Sequence, residues 1–385
     1  MTVEIRRTAI GGKLNDFLNV VDYIYAQDPN YVRPLNVEVK SRLQPKHPFF
    51  DHAEGVILTA YRNGYCVGRC TAQIDREHLA RYRDDVGFFG FFDTIEDLSV
   101  ARALLDDAAN WLSERGMKRM RGPLSLSIND EVGCLVEGFD TPPMVMMPHH
   151  TPYQGSLIEQ AGFTKLKDLF AWRYPVGDVP ARARRAHDAI EAMPEVEARV
   201  VDMKNVDAEV RTVIDVFNDG WNDNWGFVPF TERELTKLAQ DMKLILIPEL
   251  TLIVCINREP VAVALALPNV NEVIRDFGGR LMPFNLVRLF WRLKVQGPKT
   301  ARMAILGIRR HIRQKKQYAA LSTYMYARMN QASHRLGIDW GELSWTLEDN
   351  GPVNVGIKFM GGKIYKRYRL YQRELGSVSG DSAVG

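Results

Sequence analysis

The sequence predicts an α+β fold built twice in tandem, two units of mixed β-sheet flanked by helices, over 1–176 and 195–375. Three observations predict it. One element order, ending in a long helix, a strand, a short helix and a closing strand, runs through both halves without evident sequence identity between them. Each half carries two apolar strands around a short polar turn, "RNG" in the first and "NRE" in the second. In each half the long helix stops at a glycine, Gly116 or Gly337, and a strand follows at once.

In the first half, "VEIRR" reads as a strand. Leu14, Phe17, Leu18 and Val21 set a helix over "KLNDFLNVVDYIYAQDP". The hairpin "GVILTAYRNGYCVGRCTAQID" and the strand "VGFFGFFDT" follow. Leu98, Ala101, Leu105, Ala108 and Leu112 make one face of the helix ending at Gly116, and "MKRMRGPL" is the strand after it. "TPYQGSLIEQAGF" is a short helix and "TKLKDLFAWRYPV" closes the unit. A charged linker spans 177–194. The second half runs "EARVVDM" (strand), "DAEVRTVIDVFNDGW" (helix), the hairpin at 250–268 and the strand "ARMAILGI". Its long helix buries Tyr318, Leu321, Met325, Met329, Ala332 and Leu336. "IDWGELSWTL" (strand), "PVNVGIKFMGG" (helix) and "KIYKRYRLYQREL" (strand) complete it. The tail 376–385 is small, polar and expected to be disordered.

Apolar residues make up 46% and charged residues 25% of the 385, the balance of a soluble globular protein. No stretch reaches eighteen uncharged apolar residues, and "MTVEIRRTAIGG" has no apolar signal region, so a cytoplasmic protein is expected. Cys66, Cys70, Cys134 and Cys255 lack paired spacing, so neither a disulfide framework nor a metal site is expected.

The net charge of +3 conceals a local excess. From Phe277 to Ile338, 62 residues contain thirteen Lys or Arg and no Asp or Glu, which leaves the rest of the chain net acidic. Such a run predicts an anionic partner at one face. Its densest part, "ILGIRRHIRQKKQYAAL", lies where a strand enters a helix. Unpaired N–H groups and the helix dipole favour a phosphate there.

This segment resembles the acyl-CoA pyrophosphate loop of the GNAT acyltransferase superfamily, (R/Q)-x-x-G-x-(G/A). The signature Arg falls on Arg313. The two small positions fall on Lys316 and Tyr318, so the resemblance implies phosphates held more by side chains, with Arg309, Arg310, Lys315 and Lys316 supplying charge. It also implies backbone N–H groups for the oxyanion around Leu306, Gly307 and Ile308, on a bulged strand. "EDNGPVNVGIKFMGGKIYKRYRLY" is similar to the superfamily's late segment, with Asn350 and Gly361 in register. Ile357 stands where many members carry a general-acid Tyr, and Tyr365, Tyr368 or a water is left to take that role. A narrower resemblance rests on "SINDEVGCLVEGFDTPPMVMMPHHTPY", "FNDGWNDNWGFVPFT" and "ELSWTLEDN". These are similar to a bacterial GNAT-like subgroup that includes the bacterial ceramide synthases. That implies acyl-CoA-dependent N-acylation of a sphingoid long-chain base; no metal is expected, because the His149–His150 pair has no third ligand at a recognisable spacing. Acyl carrier protein, being acidic, suits the same basic surface as donor.

N-acylation needs a base for the amine, polarisation of the thioester and a proton for the thiolate. Glu342 shares a strand face with Ser344 and Thr346, a polar face on a buried strand. It is a candidate base, or else a partner for one of the thirteen cations. Glu348 lies at the strand end before a helix, where it either acts as an acid–base group or complements the helix dipole. Asp219, Asn224 and Trp225 sit in "NDGWNDNWG", a candidate acceptor-lining loop or plain turn chemistry. Asn129, Glu131 and His149 are the corresponding candidates in the first half. That half is acidic where a phosphate loop needs cations, so only the second half is expected to bind acyl-CoA, with the first shaping the acceptor cleft.

In "GRLMPFNLVRLFWRLKVQGPK", a helix places Leu286, Leu289, Phe290 and Leu293 on one face and Arg288 and Arg292 opposite. This is the composition of a helix lying on an anionic membrane, or of a core helix with a basic outside. A peripheral place on the inner membrane face is therefore part of the expectation. Two rival readings are an amino-acid or peptide N-acyl or aminoacyl transferase, and a nucleic-acid binder using the basic run with Trp291, Tyr318, Tyr324 and Tyr326.

Overall fold

The computed structural model describes residues 2–376, so the expected disordered tail lies, apart from Gly376, outside the described residues. The strands, in chain order, begin with β1 (Glu4–Ala9), β2 (Ala53–Arg62), β3 (Tyr65–Asp75), β4 (Val86–Thr94) and β5 (Arg119–Gly122). Short β6 (Leu124–Ser125), β7 (Glu131–Val132) and β8 (Cys134–Glu137) precede β9 (Thr164–Pro175). Then come β10 (Val196–Arg199), β11 (Thr251–Ile256), β12 (Glu259–Pro268), β13 (Thr300–Ile308), β14 (Trp340–Leu347) and β15 (Lys363–Glu374). The helices are α1 (Asn15–Ile24), α2 (Asn36–Arg42), α3 (Arg76–Tyr82), α4 (Leu98–Ser113), α5 (Pro152–Gln160), α6 (Ala181–Glu191) and α7 (Val206–Trp221). They continue with α8 (Glu232–Ile245), α9 (Val270–Ile274), α10 (Asn285–Trp291), α11 (Arg310–Arg313), α12 (Leu321–Arg335) and α13 (Gly351–Phe359).

Both hairpin turns fall where the sequence places them, and for a physical reason. Asn63–Gly64 and Asn257–Arg258 all have positive φ, the geometry that matches a two-residue turn to strand twist. Helix α4 starts at Asp97, whose carboxylate accepts the Ser99 and Val100 N–H groups, and Gly116 beyond its end has φ +84°. Helix α8, not foreseen from the periodicity, carries a full capping box between Thr231 and Glu234. On α12 the expected stripe is buried except Leu336, which is 40% exposed because the helix has already ended at Arg335.

Two compact units divide the chain. The first holds residues up to Leu169, Ile274–Met282 and residues from Arg367 on; the second holds Phe170–Val273 and Pro283–Lys366. Element order had put the boundaries at 176 and 195. The structure puts them inside β9 and β15, because order does not say what each half of a long strand pairs with. From Arg367 onward β15 pairs with β8 and β5, which are first-unit strands. The segment expected as a linker, 177–194, contains α6, whose Ala183 and Ile190 are buried in the second unit.

In the first unit the sheet runs β1-β2-β3-β4-β5-β15. Helix α4 packs on it through Val100, Ala101, Leu104, Leu105, Ala108 and Leu112. Buried Asp168 gathers Arg369 (2.8 Å), Lys165 (2.9 Å) and Arg367 (3.1 Å). Burial raises its carboxyl, but hydrogen bonds from Arg369, Lys165 and Arg367 outweigh it and hold the group at about 2. The stability this carboxylate supplies is therefore complete above its ordinary pKa near 4 and fades as pH falls toward 2. Asp168→Asn is expected to cost about 3 kcal/mol at neutral pH, read as a lower thermal midpoint.

In the second unit the sheet runs β14-β13-β12-β11-β10. The end of β9 joins it through Val176 N–H to Asp339 O (3.1 Å) and Trp172 Nε1 to Thr346 Oγ1 (2.8 Å). Helix α12 packs on one face with Leu321, Tyr324, Met325 and Met329 against Leu252, Val254, Ala262 and Ala264. The expected amphipathic helix spans α10 and a π-turn to Gln296, with its leucine side turned inward as in the core-helix alternative but its outside apolar rather than only basic. Leu293 is buried and Leu286 and Leu289 are half-buried, while Phe284, Val287, Trp291 and Val295 face outward.

Candidate active site

Strands β13 and β14 pair in parallel over four residue pairs only, from Thr300↔Trp340 to Met303↔Leu343. Both then continue, β13 to Ile308 and β14 to Leu347, without pairing, so the sheet opens between them. A bulge sits where they part. Leu265 faces Ile305 and Ala266 faces Met303, which leaves Ala304 as the extra residue on β13. Beyond it, Arg309 N–H bonds Val261 O (2.9 Å) across to β12. In an antiparallel pair bonded residues alternate, so Leu306 and Ile308 turn their N–H and C=O groups to the open edge. The Leu306 carbonyl accepts Trp221 Nε1 (2.8 Å), and Trp221 stands edge-on to Trp345 at 6.1 Å. Helix α7 comes this close because of two glycines. A Cβ on Gly220 would lie 3.0 Å from Ile308 O, and one on Gly307 would lie 3.2 Å from Phe217 Cα.

The basic segment follows β13 directly, but its cations differ in availability. Arg309 pairs with Asp215 (2.5 Å). Arg310 gives its N–H to Asp219 (2.8 Å) and its guanidinium to Asp219 and Asp223 (3.4 and 3.5 Å). These carboxylates recur every four residues on and just past α7, so one acidic face neutralises the first two arginines. Burial raises the Asp219 carboxyl, and the Arg310 contacts more than reverse this. Asp219, a candidate for lining the acceptor, thus anchors the start of the loop. Tyr318, a candidate for donor binding, is buried in the core with its hydroxyl 3.3 Å from Glu195. Among the described residues, exposed Arg313, Lys315 and Lys316 enter no ion pair.

Glu342 is fully buried on β14, one residue before the pairing with β13 ends. Its carboxylate accepts the Tyr365 hydroxyl on one oxygen and the Ser344 hydroxyl on the other. Ser344 Oγ accepts Arg302 Nε (2.8 Å), and Arg302 Nε lies 3.8 Å from Glu342. The carboxylate is therefore both a partner of one of the thirteen cations and the end of a hydroxyl contact to half-buried Tyr365. Ser344 shares Glu342's strand face as the alternation predicts, whereas Arg302, Trp221 and Trp345 are site neighbours the sequence does not point to. Strand register brings Arg302 to Glu342, and register is not written in one sequence.

Glu348 is half-buried where β14 ends, and its carbonyl lies 3.4 Å from Asn354 Nδ2. Asn350 is the N-cap residue of α13 without a side-chain cap bond. Asn224 makes turn bonds, its N–H to Trp221 O and its O to Phe227 N–H, and Trp225 is half-buried beside it. In the first unit, Asn129 N–H bonds Ser127 Oγ (3.1 Å) and Glu131 lies 3.6 Å from Arg42. His149 Nε2 contacts Asp28 (2.7 Å). Its neighbour His150 accepts Leu135 N–H at Nδ1 (3.1 Å), and burial pushes its pKa down to about 4. A histidine kept neutral in the fold supports stability fully above its ordinary 6.5, and the support is lost as pH falls toward 4. The loss expected is on the order of 3 kcal/mol. Denaturant midpoints at pH 7 and 4.5 check this, with His150→Gln flattening the difference.

The first unit contains the same opening, but filled. Strands β4 and β5 pair in parallel only from Val86↔Arg119 to Phe88↔Arg121. The chain after β5 then folds onto β4: a Cβ on Gly90 would lie 1.9 Å from Leu124 O. Phe91 N–H donates to Ser125 Oγ (3.3 Å), so an amide on the open edge is already used. Where the second unit carries free cations, the first has Asp97 capping α4, its carboxyl held low by Arg62 and Ser99.

No family model matches the chain. It is 40% identical over 368 residues to the bacterial ceramide synthase of Caulobacter vibrioides, covering 94% of this chain and 95% of that one. It is 37% identical over 362 residues to protein YghO of Escherichia coli, covering 94% and 93%. Among solved structures, a tandem GNAT protein from the clavulanic acid biosynthesis pathway superposes with a TM-score of 0.57 at 11% identity, over 97% of this chain and 99% of that one. A GCN5-related N-acetyltransferase from Sphaerobacter thermophilus gives 0.54 at 12%, over 96% of each chain. These two likenesses establish the fold, and the identity to the synthase extends over nearly the whole chain. The chain is a GNAT-fold acyltransferase and belongs to the bacterial ceramide synthase family.

Proposed function

We propose that this protein transfers a fatty acyl group from a long-chain acyl-CoA to the amine of a sphingoid long-chain base. The observation that carries the chemistry is the Glu342–Tyr365 contact at the point where β13 and β14 part. The thioester lies along the open edge of β13, its carbonyl oxygen on the Leu306 or Ile308 N–H. The amine nitrogen attacks the carbonyl carbon, the C–N bond forms, and the C–S bond breaks. Tyr365 relays the amine proton to Glu342, and the thiolate takes a proton back through the same hydroxyl. Arg302 and Ser344 position the carboxylate. Arg313, Lys315 and Lys316 bind the donor's phosphates. The acidic surface of an acyl carrier protein suits the same cations. The first unit takes no donor on this reading, which its filled opening and the Asp97 cap support. The acceptor class follows from the named relative.

The test is amine-dependent thiol release from a long-chain acyl-CoA, across sphinganine, its 3-keto form and several amino acids. Release with the long-chain bases and not with the amino acids is expected. Preference for a water-soluble amino acid overturns the acceptor; no release with any amine overturns CoA as donor.

A further inference from the structure

We propose that the outward face of the helical segment from Phe284 to Gln296 docks this protein on an anionic phospholipid surface. Phe284, Val287, Trp291 and Val295 recur at i, i+3, i+7 and i+11, one side of a helix. They are 78%, 71%, 57% and 60% exposed, and Phe290 beside them is exposed as well. An apolar side that a folded protein leaves in water marks a contact surface. The inward side, with Leu293, is already packed, so the exposed residues are not displaced core.

Charge selects the occupant. Lys294 is exposed along this side and makes no ion pair among the described residues, and no carboxylate occurs from Phe277 to Ile338. A second copy of the chain meeting this face about a two-fold axis would set the same cations against each other. A bilayer with anionic headgroups accepts both features: aromatic rings in the acyl boundary and cations at the phosphates. No helix among the described residues is long and apolar enough to cross a membrane, so the segment lies on the surface. The choice of lipid over an acidic protein rests on the lipid N-acyltransferase reading above. The geometry of the face does not.

The experiment is co-sedimentation of the full-length protein with phosphatidylcholine vesicles, with and without phosphatidylglycerol. The wild type is expected to pellet with the anionic vesicles and to be released by high salt. Phe284→Ser/Trp291→Ser should need about tenfold more lipid or higher for half-binding, and Lys294→Glu should weaken only the anionic component. All three proteins should release thiol equally with palmitoyl-CoA and sphinganine presented in neutral detergent micelles without vesicles, which separates docking from catalysis. Wild type left in the supernatant overturns the proposal, and so does a double variant that binds unchanged. A double variant that converts a wild-type dimer to monomer assigns the face to a second copy instead and overturns it too.

Discussion

Glu342→Gln should lower kcat for amine acylation by about a hundredfold or more, the usual weight of a positioned acid–base group. The substitution keeps the side chain's size and one oxygen acceptor but removes the negative charge that receives the amine proton. Tyr365→Phe should fall by a similar factor, because the hydroxyl is the half-buried end of the same contact. KM for the acyl donor should change little in either variant, since neither group is placed at the phosphates. Thermal midpoints control for folding: Tyr365→Phe loses one hydrogen bond, about 1 kcal/mol, and Glu342→Gln leaves buried Arg302 without its carboxylate, about 3 kcal/mol, so activity is compared at temperatures below both midpoints. Ser344→Ala should fall between wild type and Glu342→Gln, since it removes one hydrogen bond that positions the carboxylate and leaves the carboxylate itself.

Replacing Arg313, Lys315 and Lys316 together by Ala should raise KM for acyl-CoA about a hundredfold while leaving kcat near wild type. A charge-assisted contact contributes about 1.5 kcal/mol or more, and three that act partly together suffice. The wild-type KM should also rise with ionic strength, and the triple variant should lose most of that dependence. Arg309→Ala and Arg310→Ala behave differently on this account. Their guanidinium groups already face Asp215, Asp219 and Asp223, so their removal should act mainly on loop order and stability.

The sequence exposes the elements more fully than their partners. Periodicity and glycine stops locate α4, α12, both hairpins and the strands leading into them, because each depends on nearby residues. It hides what register decides. Glu342 is legible as a polar residue on a buried strand, but Arg302 opposite it is one cation among thirteen until β13 and β14 are paired. The basic segment is legible as charge, yet which cations remain available depends on Asp215 and Asp219 of α7 and Asp223 just past it, some ninety residues earlier. The four-residue spacing of these carboxylates, along the expected helix and just beyond it, is the available signal that Arg309 and Arg310 are neutralised. Tyr318 belongs at once to the donor motif and to the expected buried stripe, and in the turn just before α12 the core contact prevails. The orientation of the amphipathic segment at 285–296 is hidden for a similar reason. An apolar stripe says that one side is greasy, while packing against the rest of the unit decides which apolar residues stay outside.

The measurement that tests the central claim most directly is mass-resolved product analysis of the purified protein with palmitoyl-CoA and sphinganine, beside Glu342→Gln. The account predicts an N-palmitoyl sphingoid base formed in step with free CoA, and its near-absence with the variant. Sphinganine left unmodified while an amino acid in the same mixture is acylated, or product formed equally by Glu342→Gln, would contradict it.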